Sequence, residues 1–506
     1  MLKLRSNQEA PIAKAIQFFK EKKPKPSLIV LPTAWGKSIL TACVAKESND
    51  KLLIVQPSKE LLEQNYTKYI TLCGGTNASI FSASCKSKQI SQITYATIGS
   101  IQSLGKEFKE LGFTKMLIDE AHLYPREAHS MLGTFLSDSE ITHVLGITAT
   151  PIKLQQGYDR EGNRISKLVM LTSRSKLGNF FKNILYVGEI NEMIRLGYWS
   201  PLVYKTAKFN REELKFNSTQ SEYTDESITQ AYNSNKTNEK IIKCLDYYDR
   251  KHILVFVPSV ETAKELSTYP GSAYVSGETP TKERTEIINK FKRGEIRVLF
   301  NVGVLTTGFD CPDIDCLILA RSTASVAFYY QIIGRAVRIS ENKRDALIID
   351  LGGNADRFGK VEDIKYIKEG NTWRMYSGTT LLSGIPISDI GKAPIECLPF
   401  GKYQGVLLSD VPQDYLKWCL ENMKLTHDIK DAILKTLASP TPLIDVISSL
   451  IAQRKASNTE PCLIPETEIL KASKRTREQF NKEITELTEA SLITKHKGIN
   501  QNLYGL

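Results

Sequence analysis

Short apolar runs alternate with stretches of helical period along the first two thirds of the chain. The clearest runs cover residues 27–31, 51–55, 116–118, 252–257 and 297–301. Each has the length of a strand buried on both faces, and each leads through a turn into a helical stretch. Strands and helices that alternate in this way indicate parallel sheets covered on both faces. The pattern therefore predicts an α/β fold, with ligands bound at the carboxyl ends of the strands.

The alternation is interrupted in two places, and these interruptions predict the domain boundaries. Residues 210–240 are rich in Asn, Ser, Thr and Glu, and the regular alternation ends near residue 370. A chain of 506 residues has room for several domains of ordinary size. We predict a first domain over 1–200, a connector over 201–240, a second domain over 241–365, a linker over 366–395, a small module over 396–440 and a last domain over 441–506.

The loop after the first apolar run has the residues of a phosphate site. Residues 31–38 read Leu-Pro-Thr-Ala-Trp-Gly-Lys-Ser and precede a helical run. A strand, a tight loop and a helix in this order offer a phosphate free N–H groups and the positive end of a helix. Lys37 would reach the phosphates and Ser38 would hold Mg²⁺. An ordinary strand–turn–helix with a surface lysine has the same pattern, and Leu31 and Ala34 stand where glycine is usual.

Two adjacent carboxylates and a distant pair of arginines could complete a phosphoryl-transfer site. Asp119 and Glu120 end the apolar run at 116–118. Such a site needs one carboxylate for Mg²⁺ and a second group to orient the attacking water. Arg335 and Arg338 lie three residues apart, so on a helix they would share one face and could clamp a γ-phosphate. A charged strand end and a solvated basic face are the simpler alternatives.

The order of these motifs gives a family resemblance. The loop at 31–38, the carboxylates at 119–120, Thr-Ala-Thr at 148–150 and the arginine pair follow one another as in superfamily 2 helicases of the DEAH-box-like type. Over residues 1–360 the chain resembles RadD-like repair helicases and phage helicases that remodel branched DNA. The resemblance implies two RecA-like domains with ATP and Mg²⁺ between them, and DNA, single-stranded and branched, as the partner.

The resemblance also implies a role for individual residues. The catalytic residues would be Lys37, Asp119, Glu120, Arg335 and Arg338. The nucleotide would be bound by Arg5, Gln8, Thr33, Ala34, Trp35, Gly36, Lys37, Ser38, His122, Gly308 and Asp310, and the metal by Ser38 and Asp119. Nucleic acid would be contacted by Pro57, Ser58, Thr97, Ser259 and Thr306. Helix caps and plain strand-to-helix turns would explain several of these residues nearly as well.

Residues 398–418 contain interspersed aromatic and basic residues and resemble a small module of phage and bacterial nucleic-acid enzymes. The aromatic residues are Phe400, Tyr403, Tyr415 and Trp418. They could stack on bases beside Lys402. They could instead form the core of a very small domain, which is the interpretation that we favour.

The end of the chain, residues 466–506, reads as two helices and a hairpin. This order predicts a winged helix in which Arg475 and its basic neighbours face phosphates. A winged helix that docks another protein is the alternative. The C-terminal accessory region would therefore hold two small modules.

The composition of the chain predicts a polyanionic partner and a cellular location. The formal net charge is +11 with a pI near 9.0, which favours nucleic acid. The nine cysteines form no C-x-x-C pattern, which indicates reduced thiols. No apolar run has transmembrane length and no signal-like segment follows Met1, so we predict a soluble cytoplasmic protein of a bacterial or phage-infected cell, with no membrane partner.

Three functions fit the sequence. The first, which we predict, is an ATP-dependent DNA helicase that unwinds or migrates branched DNA in replication, recombination or repair, alongside proteins of those processes. The second is an RNA helicase, because the preference for DNA comes only from the resemblance. The third is a non-enzymatic nucleic-acid scaffold with a decayed motor, and intact Lys37, Asp119, Glu120 and Arg338 count against it.

Overall fold

The computed structural model describes residues 4–124, 130–159, 162–173, 180–305, 309–391, 398, 400–404, 406, 408, 411–423, 425, 427–438, 446–447, 450–451, 463–473, 477–489, 493–497 and 502–505. The chain divides into two units, residues 1–392 and 393–506. The first unit holds an eight-stranded and a six-stranded sheet. The predicted α/β class with parallel sheets is confirmed.

The first sheet contains the early apolar runs. Its strands are β1 (Ser27–Val30), β2 (Leu52–Gln56), β3 (Ala78–Ser82), β4 (Ser87–Lys88), β5 (Ile93–Thr97), β6 (Lys115–Asp119), β7 (His143–Thr148) and, after a separate hairpin of β8 (Ile152–Tyr158) and β9 (Arg164–Met170), β10 (Asn183–Val187). The order is β10-β1-β7-β6-β2-β5-β3-β4, and only β3–β4 is antiparallel. Every residue of β1, β2 and β7 is buried, as a sheet covered on both faces requires.

Helices alternate with these strands and cover the first sheet. They are α1 (Glu9–Phe18), α2 (Lys37–Glu47), α3 (Lys59–Cys73), α4 (Ile98–Ile101), α5 (Gly105–Glu110), α6 (Met131–Asp138) and α7 (Ile190–Arg195). The hairpin β8–β9 forms a separate two-stranded antiparallel sheet. Its exposed strand β8 carries Tyr158, whose side chain is 71% exposed.

The second domain begins earlier than the sequence predicts. Its sheet has the order β11-β16-β15-β12-β14-β13, all parallel. The elements are β11 (Leu202–Thr206), α8 (Asp225–Ser234), α9 (Thr237–Tyr247), β12 (Ile253–Phe256), α10 (Val260–Leu266), β13 (Ser272–Val275), α11 (Thr281–Lys292), β14 (Val298–Asn301), β15 (Cys316–Leu319), α12 (Val326–Ile333), β16 (Ala346–Asp350) and α13 (Asn354–Phe358). The predicted connector over 201–240 is therefore wrong, because β11 pairs with β16 and α8 buries Ile228 and Tyr232.

The predicted linker over 366–395 is also wrong in most of its length. Residues 364–381 form a three-stranded antiparallel sheet of β17 (Ile364–Glu369), β18 (Thr372–Ser377) and β19 (Thr380–Leu381). Met375 and Leu382 are buried in the main core of this unit. The first unit therefore includes this sheet and extends to residue 392.

The second unit contains two small apolar cores. One lies around α14 (Gln413–Asn422) and α15 (His427–Ala438), where Phe400, Tyr403 and Tyr415 pack against buried residues. The favoured core interpretation thus fits three of the four aromatic residues. Trp418 is 49% exposed and stacks on Tyr415 with ring centroids 5.7 Å apart.

The other core is formed by the last elements of the chain. They are β20 (Ile464–Pro465), α16 (Glu466–Ser473), α17 (Arg477–Glu489), β21 (Thr494–Lys497) and β22 (Asn502–Gly505), with strand order β20-β22-β21. This matches the predicted helix, helix and hairpin, while a winged helix stays a prediction. Across the described part of the chain, no helix is both long and apolar enough to span a membrane.

Candidate nucleotide site and nucleic-acid interface

The loop between β1 and α2 has the backbone of a phosphate cradle. Gly36 has φ +101° and Ala34 has φ +57°, both in the left-handed region. Glycine adopts this conformation freely, whereas an alanine pays about 1 kcal/mol for it. The first amide to bond within α2 is that of Ile39, at 2.8 Å from the Gly36 carbonyl. The amides of Lys37 and Ser38 precede it and are available to an anion at the helix N-terminus.

Lys37 and Glu120 form an ion pair beside this loop. The Lys37 ammonium donates to Oε1 of Glu120, and both side chains are mostly buried. Burial alone lowers the pKa of Lys37, but Glu120 and Asp119 outweigh it and the pKa is raised. Burial alone raises the pKa of Glu120, but Lys37 and His122 outweigh it and the pKa is lowered. Both groups therefore carry charge at neutral pH.

The backbone of Glu120 is strained, with φ +48° and ψ +51°. A left-handed conformation costs a non-glycine residue about 1–2 kcal/mol. It turns the chain sharply after β6, so that adjacent carboxylates take different positions. Ala34 and Glu120 both have left-handed backbone angles, and Lys37 of the loop that contains Ala34 contacts Glu120.

Asp119 is buried at the end of β6 and is held by two donors. The Glu120 amide donates to Oδ1 at 2.9 Å, and the Asn65 side-chain amide donates to Oδ2 at 3.3 Å. Burial raises the pKa of Asp119 to about 6, although the nearby Lys37 opposes this. Asn65, on α3, is a positioning residue that the sequence did not indicate.

His122 joins the carboxylates to the Thr-Ala-Thr segment. Its Nδ1 lies 2.9 Å from Oγ1 of Thr148 and 3.5 Å from Oε2 of Glu120. Burial lowers the pKa of His122. A neutral ring can donate to only one of these oxygens at a time. His122 therefore links the Glu120 side chain to the end of β7 at Thr148.

The predicted adenine-recognition residues pack against the phosphate loop. The Gln8 side chain accepts from the Arg5 amide at 3.0 Å and donates to the Trp35 carbonyl at 2.9 Å. One donor hydrogen and one lone pair of the Gln8 amide remain for a base. The Arg5 guanidinium lies 4.5 Å from the centroid of the Tyr198 ring. Contact of either residue with adenine stays a prediction.

The second domain brings its two arginines to this site. The helical placement that was predicted for them is wrong, because α12 ends at Ile333 and Gly334 begins a turn. Arg335 donates to the Phe309 carbonyl at 2.7 Å, and Arg338 pairs with Asp310. Burial, with help from Arg338, lowers the pKa of Arg335 to about 10, so it stays charged at neutral pH. Both arginines still reach the cleft.

The domains meet directly at the phosphate loop. The Trp199 indole, in the segment that leads into the second domain, donates to the Thr33 carbonyl at 2.9 Å. Gly334 of the second domain approaches Thr33 so closely that a Cβ there would lie 2.9 Å from Oγ1 of Thr33 and force one of them to move. Lys343 holds the arginine turn by donating to the Ala336 carbonyl at 2.7 Å. Lys343 and Gly334 belong to no motif in the sequence, and the contact of Gly334 with Thr33 joins residues that are distant along the chain.

The donor set suits Mg²⁺ bound together with phosphates. The protein offers the Ser38 hydroxyl and the Asp119 carboxylate, and Mg²⁺ usually takes only one or two protein ligands beside phosphate oxygens and water. Nε of Arg335 is buried and has no hydrogen-bond partner among the described residues. This unpaired guanidinium nitrogen could donate a hydrogen bond to a phosphate.

A second pair of equivalent positions lies where β2 and β12 end. Pro57-Ser58 follows β2 and Pro258-Ser259 follows β12. Ser58 and Ser259 cap α3 and α10 with nearly identical backbone angles, and each hydroxyl accepts the amide three residues ahead. The nucleic-acid contacts that the sequence predicts at Ser58 and Ser259 therefore lie at structurally equivalent positions in the two domains. The serine hydroxyl hydrogens and the backbone N–H groups at both places could donate hydrogen bonds to backbone phosphates.

Thr97 lies in a cluster of hydroxyl groups after β5. Its Oγ1 is 2.9 Å from Oγ of Ser100 and 3.1 Å from Oγ of Ser82, which in turn lies 2.8 Å from Oγ of Ser84. The sequence indicated only Thr97. Such a cluster offers several donors to a phosphate.

The structure gives little information on the remaining residues that were predicted to bind nucleotide or nucleic acid. Thr306, Gly308 and Arg475 lie outside the described residues. Lys402 is exposed in the second unit, with its ammonium 5.4 Å from the centroid of the Tyr403 ring. Its role in nucleic-acid binding stays a prediction.

Comparison with known families now identifies the first unit. Residues 1–153 match the family profile described as type III restriction enzyme, res subunit, and residues 236–340 match the helicase conserved C-terminal domain. Residues 392–428 match a profile for a candidate quorum-sensing-regulated virulence factor. The two longer matches contain the phosphate loop and the arginine pair, respectively. The protein is a superfamily 2 helicase.

Its relatives share this helicase core at modest identity. The chain is 28% identical over 271 residues to IRC3 of Saccharomyces cerevisiae, a candidate ATP-dependent helicase, covering 51% of this chain and 37% of IRC3. It is 26% identical over 372 residues to a candidate helicase of a Sulfolobus islandicus filamentous virus, covering 67% of this chain and 63% of the relative. It is 27% identical to the DNA 3'-5' translocase XPB2 of Sulfurisphaera tokodaii, covering 66% of this chain and 80% of XPB2.

A solved structure shows the same fold. A fragment of a candidate HsdR subunit of a type I restriction enzyme from Vibrio vulnificus has a TM-score of 0.51 and 22% identity, and the match covers 71% of this chain and 66% of the fragment. The two RecA-like domains that the resemblance implied are confirmed. Assignment of this superfamily 2 helicase to the DEAH-box-like type stays a prediction.

Proposed function

We propose that this helicase is an ATP-dependent DNA motor that couples ATP hydrolysis to translocation and strand separation. The observation that carries the proposal is the convergence of two domains on one cleft. Lys37 and Glu120 come from the first domain and Arg335 and Arg338 from the second. This arrangement supplies a phosphate ligand, a water-orienting carboxylate and an arginine finger.

The residues of the first domain would bind and orient the nucleotide. Lys37 would leave Glu120 for the phosphates, because a triphosphate attracts an ammonium more strongly than one carboxylate does. Glu120 would then accept a hydrogen bond from the attacking water. Ser38 and Asp119 would hold Mg²⁺, which when bound neutralises charge that builds up on the phosphates. His122 would keep Glu120 in register with Thr148.

Closure of the cleft would complete the site. Arg335 and Arg338 act on negative charge only when the turn after α12 meets the phosphate loop. Ser58 and Ser259 hold equivalent positions in the two domains, so opening and closing would change the distance between two grips on one strand. Each turnover would thereby advance the motor along the strand.

DNA is the substrate that the relatives support. XPB2 is named as a DNA translocase, and the net charge of +11 suits a polyphosphate. The finer proposal is that the substrate is forked or branched DNA in replication, recombination or repair, with proteins of those processes as partners. It is supported by the second unit, whose exposed Trp418 and Lys402 could contact a second arm.

The decisive experiment compares substrates directly. Unwinding of labelled forked, flapped, four-way and linear DNA and of duplex RNA is measured with ATP and Mg²⁺, and Lys37→Ala serves as the control for contamination. We expect the forked or four-way DNA to be unwound fastest and RNA to stay paired. Unwinding of RNA alone would make the protein an RNA helicase. No unwinding and no ATP hydrolysis on any substrate would favour the scaffold.

A further inference from the structure

A lysine of α3 occupies a position in the cleft to which neither the sequence motifs nor the proposed chemistry gives a role. The Lys68 ammonium donates to Oγ of Ser38 at 2.7 Å. Asn65, one turn earlier on the same helix, donates to Asp119. The helix α3 therefore contacts both side chains that would hold Mg²⁺.

Lys68 also lies within the electrostatic range of the second domain. Burial lowers the pKa of Lys68, the Asp310 carboxylate raises it and the Arg338 guanidinium lowers it further. Arg338 itself is paired with Asp310. Two cations, Lys68 and Arg338, therefore share the neighbourhood of one carboxylate.

The contact with Ser38 cannot coexist comfortably with a bound metal. A hydroxyl oxygen has two lone pairs, and a magnesium ligand lies about 2.1 Å from the ion. An ammonium and a divalent cation on the same oxygen would lie within a few ångströms of each other and repel strongly. A lysine side chain has a flexible four-carbon stem, so Lys68 can move away while its helix stays in place.

We propose that Lys68 competes with Mg²⁺ for the Ser38 hydroxyl and, once displaced, pairs with Asp310, so that Arg338 is released toward the triphosphate. The inference rests on the proposed ATPase site. Two contacts are exchanged for two others: Lys68 passes from Ser38 to Asp310, and Arg338 passes from Asp310 to a phosphate. Metal binding in the first domain would thereby free the arginine finger of the second.

The competition is tested by the metal requirement for nucleotide binding. A fluorescent ATP analogue is bound to the full chain while Mg²⁺ is titrated, and the half-saturating concentration is compared for the native protein, Lys68→Met and Lys46→Met. Lys46 is an exposed lysine of α2 and serves as the matched control. We expect Lys68→Met to lower the half-saturating Mg²⁺ by about threefold or more, and Lys46→Met to leave it unchanged. A higher requirement in Lys68→Met would make Lys68 a phosphate ligand and overturn the proposal.

The release of Arg338 is tested by a second-site change. At saturating nucleotide and Mg²⁺, Lys68→Met should lose about tenfold or more in turnover, because Arg338 stays paired with Asp310. Adding Asp310→Ala should restore most of that loss, since the competing carboxylate is gone. If Asp310→Ala does not restore turnover in Lys68→Met, the proposed release is wrong. The binding titration needs no hydrolysis, so a failure of the proposed ATPase function would be distinguished from a failure of the metal competition.

Discussion

Individual side chains in the cleft are held by partners that a ligand must displace. Lys37 is paired with Glu120, and Arg338 is paired with Asp310. The Lys37–Glu120 pair is mostly buried and the Arg338–Asp310 pair is partly exposed, and each supplies a counter-charge until a triphosphate arrives. The chemistry needed for phosphoryl transfer made Lys37, Asp119 and Glu120 predictable from sequence. Asn65, Lys68 and Lys343 were not predictable, because only folding brings them to their partners.

A first prediction separates binding from hydrolysis. Lys37→Ala should weaken ATP binding and abolish turnover, because it removes the phosphate ligand. Glu120→Gln should bind ATP yet lose about 10²-fold or more in turnover, since an amide orients water poorly. Equilibrium binding of a fluorescent ATP analogue and steady-state phosphate release measure the two effects. Near-normal turnover in Glu120→Gln would remove Glu120 from its assigned role.

A second prediction concerns pH and Lys343. Burial lowers the pKa of Lys343 to about 8, and its ammonium holds the arginine turn through the carbonyls of Ala336 and Ile314. ATP turnover should fall as pH rises through about 8, because Lys343 is deprotonated and its hydrogen bonds to the two carbonyls are weakened. Lys343→Met should have low turnover without this pH limb, and Lys343→Arg should move the limb to higher pH.

Deprotonation of Lys343 cannot cause this fall in ATP turnover by unfolding the protein. The folded pKa of Lys343 lies below the ordinary value of 10.5. The unfolded chain therefore binds more protons between about pH 8 and 10.5, and this group makes folding more favourable as pH rises there. A thermal melt at each pH checks the point. A limb unchanged in Lys343→Met would show that another group causes it.

At the scale of elements, buried strands were predictable and edge strands were not. The fully buried β1, β2 and β12 are continuous apolar runs. The edge strand β11 is partly or fully exposed at every position, and β17 is exposed at most positions, so their sequences resemble a connector and a linker. Arg335 and Arg338 were wrongly predicted to lie on a helix, because a spacing of three residues is compatible with a helix as well as with a turn. In the structure, Gly334 begins a turn there.

A third prediction tests the two equivalent helix caps. Ser58→Ala and Ser259→Ala should each weaken binding of single-stranded DNA by about three- to tenfold, because each removes one phosphate contact. The losses should approximately multiply in the double variant, since the two sites lie on different domains. Fluorescence anisotropy with a short labelled strand measures the affinity.

The matched control for these caps is Thr224→Ala. Thr224 caps α8 in the same way, with its hydroxyl accepting the Ser227 amide at 3.3 Å, but it is not at the end of a central strand. Losing a cap costs about 1 kcal/mol of stability in each case. An equal loss of DNA affinity in Thr224→Ala would show that destabilisation, and not a lost grip, explains the effect.

At the scale of the whole molecule, the motor and the accessory region occupy different units. All described residues of the nucleotide cleft lie within residues 1–392. The sequence predicted a division after the motor motifs, which end before residue 360, but it placed the end of the motor at residue 365 and not at 392. It could not predict the substrate of the second unit, since neither aromatic–basic composition nor a helix–helix–hairpin order specifies one ligand.

A fourth prediction follows from this division. A chain ending at Ala393 should keep ATP hydrolysis stimulated by single-stranded DNA and lose most unwinding of forked DNA. A second binding unit raises the local concentration of another DNA arm, and the lost affinity should be strongly salt-dependent. Circular dichroism must first show that the truncated chain is folded. Full fork unwinding by that chain would exclude the second unit from substrate recognition, and loss of both activities would place it in the motor.

The central claim is that ATP is hydrolysed only when the second domain closes on the first over nucleic acid. The most direct test is the single-turnover rate of ATP hydrolysis with and without single-stranded DNA, in the native protein and in Arg338→Ala at matched nucleotide occupancy. The native rate should rise with DNA, and Arg338→Ala should bind ATP but lose about 10³-fold of the stimulated rate, as an arginine finger requires. A stimulated rate that survives in Arg338→Ala would contradict the account.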